Sequence, residues 1–72
     1  MNVYLKRDKL RYERFKRGFT LEEMVEEFKR EINIEITKQF LGAIERGERN
    51  PKIKDAKLIA DYFGYSIEEL FF

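Results

Sequence analysis

Residues 18–51 read GFTLEEMVEEFKREINIEITKQFLGAIERGERNP, and this stretch decides the fold. Gly18 supplies the left-handed residue that commonly ends a helix. Thr20 and Glu23 then have the T-x-x-E spacing of a capping box, with Phe19 and Met24 placed as its hydrophobic staple. Behind the cap, Leu21, Met24, Val25, Phe28 and Ile32 recur at helical spacing and define an amphipathic helix. Residues 31–36 break the period. Ile32, Ile34 and Ile36 alternate as in an extended segment, but so short a strand has no partner to pair with. Asn33 tolerates the left-handed conformation, so the segment reads as a turn that tucks its isoleucines under the domain. Thr37 caps the next helix, stapled by Ile36 and Leu41, which runs from Lys38 to Arg46 and stops at Gly47. Gly42 lies inside that helix at a cost of about 1 kcal/mol relative to alanine, which packing must offset.

The flanks repeat the same signals. Upstream, Leu5 to Arg17 is a strongly basic helical run without Gly or Pro, with Leu10, Phe15 and then Phe19 as its apolar points. Downstream, the loop Glu48-Arg49-Asn50-Pro51 leads to a fourth helical stripe of Ala56, Ile59, Ala60 and Phe63, closed by Gly64. Ser66 and Glu69 form a second capping box, stapled by Tyr65 and Leu70, before a last turn of helix ending in Leu70-Phe71-Phe72. Five short helices without a repeat or a linker predict one compact all-α domain over residues 1–72.

Composition narrows the function. A chain of 72 residues and 8.8 kDa buries only about 60% of its unfolded surface, so the fold must be economical. Cysteine and histidine are both missing, which removes disulfides, thiolate metal sites and the commonest general base. Glu22, Glu23, Glu26 and Glu27 form an acidic helical face with no nucleophile or metal partner. No Gly-rich phosphate loop is present, so an enzyme is disfavoured and no cofactor, metal or small-molecule ligand is called for. No apolar run approaches the roughly 20 residues of a membrane span, and no signal-peptide pattern opens the chain, which predicts a soluble cytoplasmic protein. The net charge of +1 conceals blocks of alternating sign: residues 1–19 carry seven basic and two acidic groups, and 20–36 carry two and six. Residues 37–54 carry five and two, and 55–72 carry one and four. Such blocks can fold into a surface with one basic and one acidic face.

Taken together, the capped pair of helices and the Glu-Arg-Gly-Glu-Arg-Asn-Pro loop resemble the Cro/C1-type helix-turn-helix family of phage repressors and bacterial regulators, the lambda repressor-like or XRE family. Leu10, Arg14, Gly18, Thr20 and Glu22-Glu23 follow the family's upstream pattern, the last two one position early. Pro51, Ile53, Ile59-Ala60, Phe63-Gly64-Tyr65-Ser66 and Leu70-Phe71 follow its downstream pattern without a gap. The resemblance covers roughly residues 10–71. Three features depart from it. The stretch from Val25 to Glu45 is longer than is usual, which implies a lengthened turn between the second and third helices. Leu21 stands where the family often has a phosphate-contacting glutamine, and Gly42-Ala43 stand where longer polar side chains often enter the groove.

The resemblance implies a non-enzymatic domain that binds double-stranded DNA as a homodimer on a palindromic site, as a transcriptional regulator and specifically a repressor. In helix-turn-helix binding the N-terminal residues of the second helix meet base edges. Here these are Lys38, Gln39 and Phe40: lysine donates to guanine, glutamine pairs with adenine, and an aromatic can meet a thymine methyl. Thr20 and Thr37 sit at helix N-termini, whose free amides attract phosphate, and Arg49, Lys52 and Lys54 would meet phosphate from the loop. The resemblance further implies a structural ion pair between Arg14 and Glu45. The aromatic tail, Tyr65, Phe71 and Phe72, is the expected dimer contact, the alternative being a terminal helix folded onto its own domain. A second reading keeps the fold and weakens the DNA binding, leaving a protein-interaction module such as an antitoxin or the partner of another regulator.

Overall fold

The structure, a computed structural model, describes residues 8–72. It consists of α1 (Asp8–Lys16), α2 (Leu21–Ile32), α3 (Lys38–Glu45), α4 (Ile53–Phe63) and α5 (Ile67–Phe71), with no strand among the described residues. The all-α lambda repressor-like architecture expected from the sequence is the one observed. Of the first helix, expected from Leu5, residues 5–7 lie outside the described part.

The helix boundaries follow local chemistry. Thr20 and Ser66 each accept a hydrogen bond from the amide of Glu23 and Glu69, and each glutamate accepts one back from the cap amide, completing both capping boxes. Gly18 and Gly47 adopt φ values of 76° and 78°, a region that costs glycine nothing. Asn33 is the sole non-glycine with positive φ among the described residues (φ 59°), and it caps α2 directly after Ile32, the last residue of the helical stripe, as its tolerance of that region suggested. The link from this left-handed cap to the Thr37 cap is therefore Asn33–Thr37, five residues, against the three or four of a compact helix-turn-helix. The extra length is shared between this link and a 12-residue α2.

Leu10, Met24, Phe28, Leu41, Ile44 and Ile59 are the largest fully buried side chains, drawn from α1 through α4. Phe28 meets the rings of Tyr62 and Phe63 edge-on, at centroid distances of 5.9 and 6.0 Å, which joins α2 to α4. Ile34 is buried in the link, with Ile32 and Ile36 partly buried beside it, so this short segment contributes to the core without pairing. Two expectations need correction. Phe15 is 57% exposed; α1 instead turns Leu10, Glu13 and Arg14 inward, and Arg11 and Arg14 lie over the Phe15 ring at 5.3 and 4.8 Å. Phe71 is only 6% exposed and belongs to the core of its own chain, because the one-turn α5 folds it under α4 with Leu70. Buried there, it has no face to offer as the expected dimer contact.

Candidate nucleic-acid interface

Two buried charges on α1 hold the frame on which the site stands. Arg14 Nε donates to Glu45 Oε2 at 2.7 Å and its Nη2 to Oε1 at 2.9 Å, while Nη1 donates to the Phe19 carbonyl at 2.9 Å. The fork thus pins α3 to α1 and also fixes the chain entering α2. The neighbouring Glu13 points the other way. It accepts from the Tyr65 hydroxyl at 2.7 Å and from Arg17, with Lys16 at 3.5 Å. The Tyr65 bond holds the Glu13 carboxyl below its ordinary range, against the opposing effect of its desolvation, and the same bond raises the Tyr65 phenol. On the far side Tyr62 donates to Glu27 at 2.7 Å, and burial followed by this bond pushes its phenol up to about 12.

On this frame the first turn of α3 projects outward. Lys38 and Gln39 are exposed, and neither side chain makes a hydrogen bond or an ion pair among the described residues. Thr37 Oγ1 accepts from the Phe40 amide at 3.0 Å, leaving the remaining first-turn amides directed at solvent. Phe40 itself is partly buried against the core with the Arg49 guanidinium 5.3 Å over its ring, so it forms the rim of the helix rather than a free projecting side chain. Lys52 caps α4 without a side-chain bond, and with Lys54 and Arg49 it forms an exposed basic run past the end of α3.

Between the start of α2 and the length of α3 runs an open groove of about 670 Å³, lined by Arg14, Thr20, Leu21, Glu22, Lys38, Gln39, Gly42 and Arg46. It adjoins a smaller one, of about 210 Å³, that reaches Arg11. Thr20, Lys38 and Gln39 are thus brought to one surface, whereas Tyr65 and Phe72 belong to the C-terminal region. Tyr65 is partly buried against the core and Phe72 is 83% exposed. The sequence reading missed Arg46, Glu48, Glu22 and Arg11. Arg46 donates to Glu48 through Nε at 3.0 Å and Nη2 at 3.1 Å. The available signal was two opposite charges flanking Gly47, a left-handed turn that brings their side chains together.

A capped helix with an exposed polar first turn, mounted across a second capped helix on a buried ion pair, is the arrangement of a helix-turn-helix DNA-binding domain. A family model described as helix-turn-helix matches residues 10–70. The chain belongs to the Cro/C1-type helix-turn-helix family, non-enzymatic DNA-binding domains of transcriptional regulation. Comparison with characterised proteins and with solved structures gave no significant match. Among the described residues no helix is long and apolar enough to cross a membrane.

Proposed function

We propose that this domain is a sequence-specific repressor, acting in the cytoplasm as a homodimer on a palindromic operator. Base contacts come from Lys38 and Gln39, with Phe40 at the edge. Phosphate contacts come from the Thr20 and Thr37 helix ends and from Arg49, Lys52 and Lys54. The observation that carries this reading is the first turn of α3: the Lys38 and Gln39 side chains are exposed beside the groove, with no partner among the described residues. Glutamine there caps nothing, and Leu41 and Ile44 already supply the apolar face. Selection of bound sequences from a random duplex pool tests it. An enriched palindrome with half-sites about 34–36 Å apart is expected. Gln39→Ala should then lose about 1–3 kcal/mol on that site and relax preference at one base pair, whereas Arg49→Ala should weaken all sequences alike. A Gln39→Ala protein that binds every variant as the wild type does would sink the assignment.

Dimerisation is proposed through the C-terminal face, where Phe72 keeps a large apolar surface exposed and Tyr65 a smaller one. Phe72→Glu should leave helicity intact and weaken operator binding, and a wild type that sediments as a monomer on its operator would count against it. A second reading, a protein-interaction module, is favoured by Glu22, an acidic residue lining the groove whose charge would repel phosphate. A salt titration on random duplex separates the two, because DNA affinity falls steeply with salt.

A further inference from the structure

The end of α3 carries a charge pair that the DNA-binding reading does not need. Gly47, in the left-handed conformation, turns the chain back so that Arg46 and Glu48 lie side by side, both 59% exposed at the side chain. The two parallel bonds, at 3.0 and 3.1 Å, fill the Nε–Nη2 edge of the guanidinium, one of the two edges that can meet a phosphate. Each group steadies the other's charge: the Glu48 carboxyl is lowered and the Arg46 guanidinium raised, chiefly by their mutual hydrogen bond. Arg46 is also well placed to contact a ligand in the groove. Its Nη1 lies 3.2 Å from where a Cβ on Gly42 would stand, so the side chain runs back over the bare centre of α3 into the groove with Lys38 and Gln39. Lys38 and Arg46 are the two exposed cations lining that groove. Lys38 makes no ion pair among the described residues, and Arg46 is engaged by Glu48.

We propose that Glu48 is an intramolecular stand-in for a DNA phosphate. It holds the Nε–Nη2 edge of Arg46 and compensates the charge of that cation, which weakens its hold on the duplex. A phosphate would meet only the Nη1 end of a guanidinium already paired, so Arg46 contributes less to the backbone while Glu48 holds it. The pair lowers affinity for all sequences alike and leaves Lys38 and Gln39 to provide discrimination, which raises the weight of base readout relative to backbone attraction. The proposal rests on the reading that places α3 against DNA, and it adds a brake to that same surface.

The test uses four proteins: the wild type, Glu48→Gln, Arg46→Ala and the double replacement. Binding to a random-sequence duplex and to the selected operator is followed by fluorescence anisotropy over a range of salt, with helicity checked by circular dichroism. An exposed ion pair is weak, so Glu48→Gln should bind both duplexes only about three- to fivefold more tightly. Its salt slope should steepen by roughly 0.9, the contribution of one additional phosphate contact. Arg46→Ala should cost more in the Glu48→Gln background than in the wild type, because only there are both edges and the full charge of the guanidinium available. Equal gains from Glu48→Gln with and without Arg46 would overturn the proposal, since Glu48 would then act as a bulk negative charge. Equal losses from Arg46→Ala in both backgrounds would overturn it as well, since Arg46 would already be on phosphate. If all four fold and none binds duplex, the placement of α3 against DNA fails, and the brake falls with it.

Discussion

Replacing Glu45 by alanine removes both carboxylate oxygens from the Arg14 fork. Nε and Nη2 lose acceptors at 2.7 and 2.9 Å, and only the Nη1 bond to the Phe19 carbonyl survives. The side chains of the pair are 9% and 6% exposed, so water cannot readily replace the lost partner. Truncating one member of a buried pair costs about 3–5 kcal/mol, most of it from the charge left behind. The lower figure applies here, because the carbonyl bond is retained, so about 3 kcal/mol is expected. A domain of this length has a total stability of only about 4–11 kcal/mol, so the loss is a large fraction of the whole. Replacing both members together, as in Arg14→Met with Glu45→Leu, should cost much less, because no buried charge is stranded. Urea melts at 10 °C on the wild type, the single variant and the double variant decide it. Equal losses for single and double variants, or a single loss below about 1 kcal/mol, would refute the claim that the pair matters through its buried charge.

Two further expectations concern other parts of the frame. Glu13 has its folded pKa below the ordinary 4.5, so its stabilising contribution is complete above that value and is lost as the pH falls through the lowered one. Tyr65→Phe removes the largest cause of the shift, so the stability gap to wild type should be widest near neutral pH and narrow below about 4.5; a gap constant across pH would exclude the coupling. At Gly42 a Cβ would stand 3.5 Å from Leu21 Cδ1, an ordinary contact, and 3.2 Å from the flexible end of Arg46. Gly42→Ala should therefore raise thermal stability, by about 0.5–1 kcal/mol from helix propensity, and a lower melting temperature would mean that Arg46 cannot shift aside.

What the sequence disclosed and what it hid divide along one physical line. Signals carried within a few residues were readable: Thr20 with Glu23, Ser66 with Glu69, and Gly64 with its φ of 83° all act through local backbone chemistry. The exposed first turn of α3 follows from the Thr37 cap for the same reason. Of the polar contacts that assemble the helices, the Arg14–Glu45 pair was expected through the family resemblance and is present, whereas the two tyrosine–glutamate bonds were not readable. Tyr65 reaches Glu13 across 52 positions, and Tyr62 reaches Glu27 across 35. No periodicity marks one glutamate among many as the buried one. Composition also misplaced the aromatics, since Phe15 and Phe71 are equally apolar and only packing turns one outward and the other inward. Arg46 and Glu48 were an intermediate case, close enough in sequence to pair but separated by a glycine whose handedness decides the geometry.

Glu13 and Arg14 are adjacent residues on a helix of only nine, and they hold two different elements: Glu13 holds Tyr65, just ahead of the α5 cap, and Arg14 holds Glu45 at the end of α3. Mechanically, α1 is a tie bar with both fastenings at its centre. The two fastenings are neighbours in the chain, so a shift of Tyr65 at the C-terminal face acts on the residue next to the one that holds α3. A second subunit or a further segment of chain seated against α5 would therefore bear on the angle at which α3 meets its ligand without touching the groove itself.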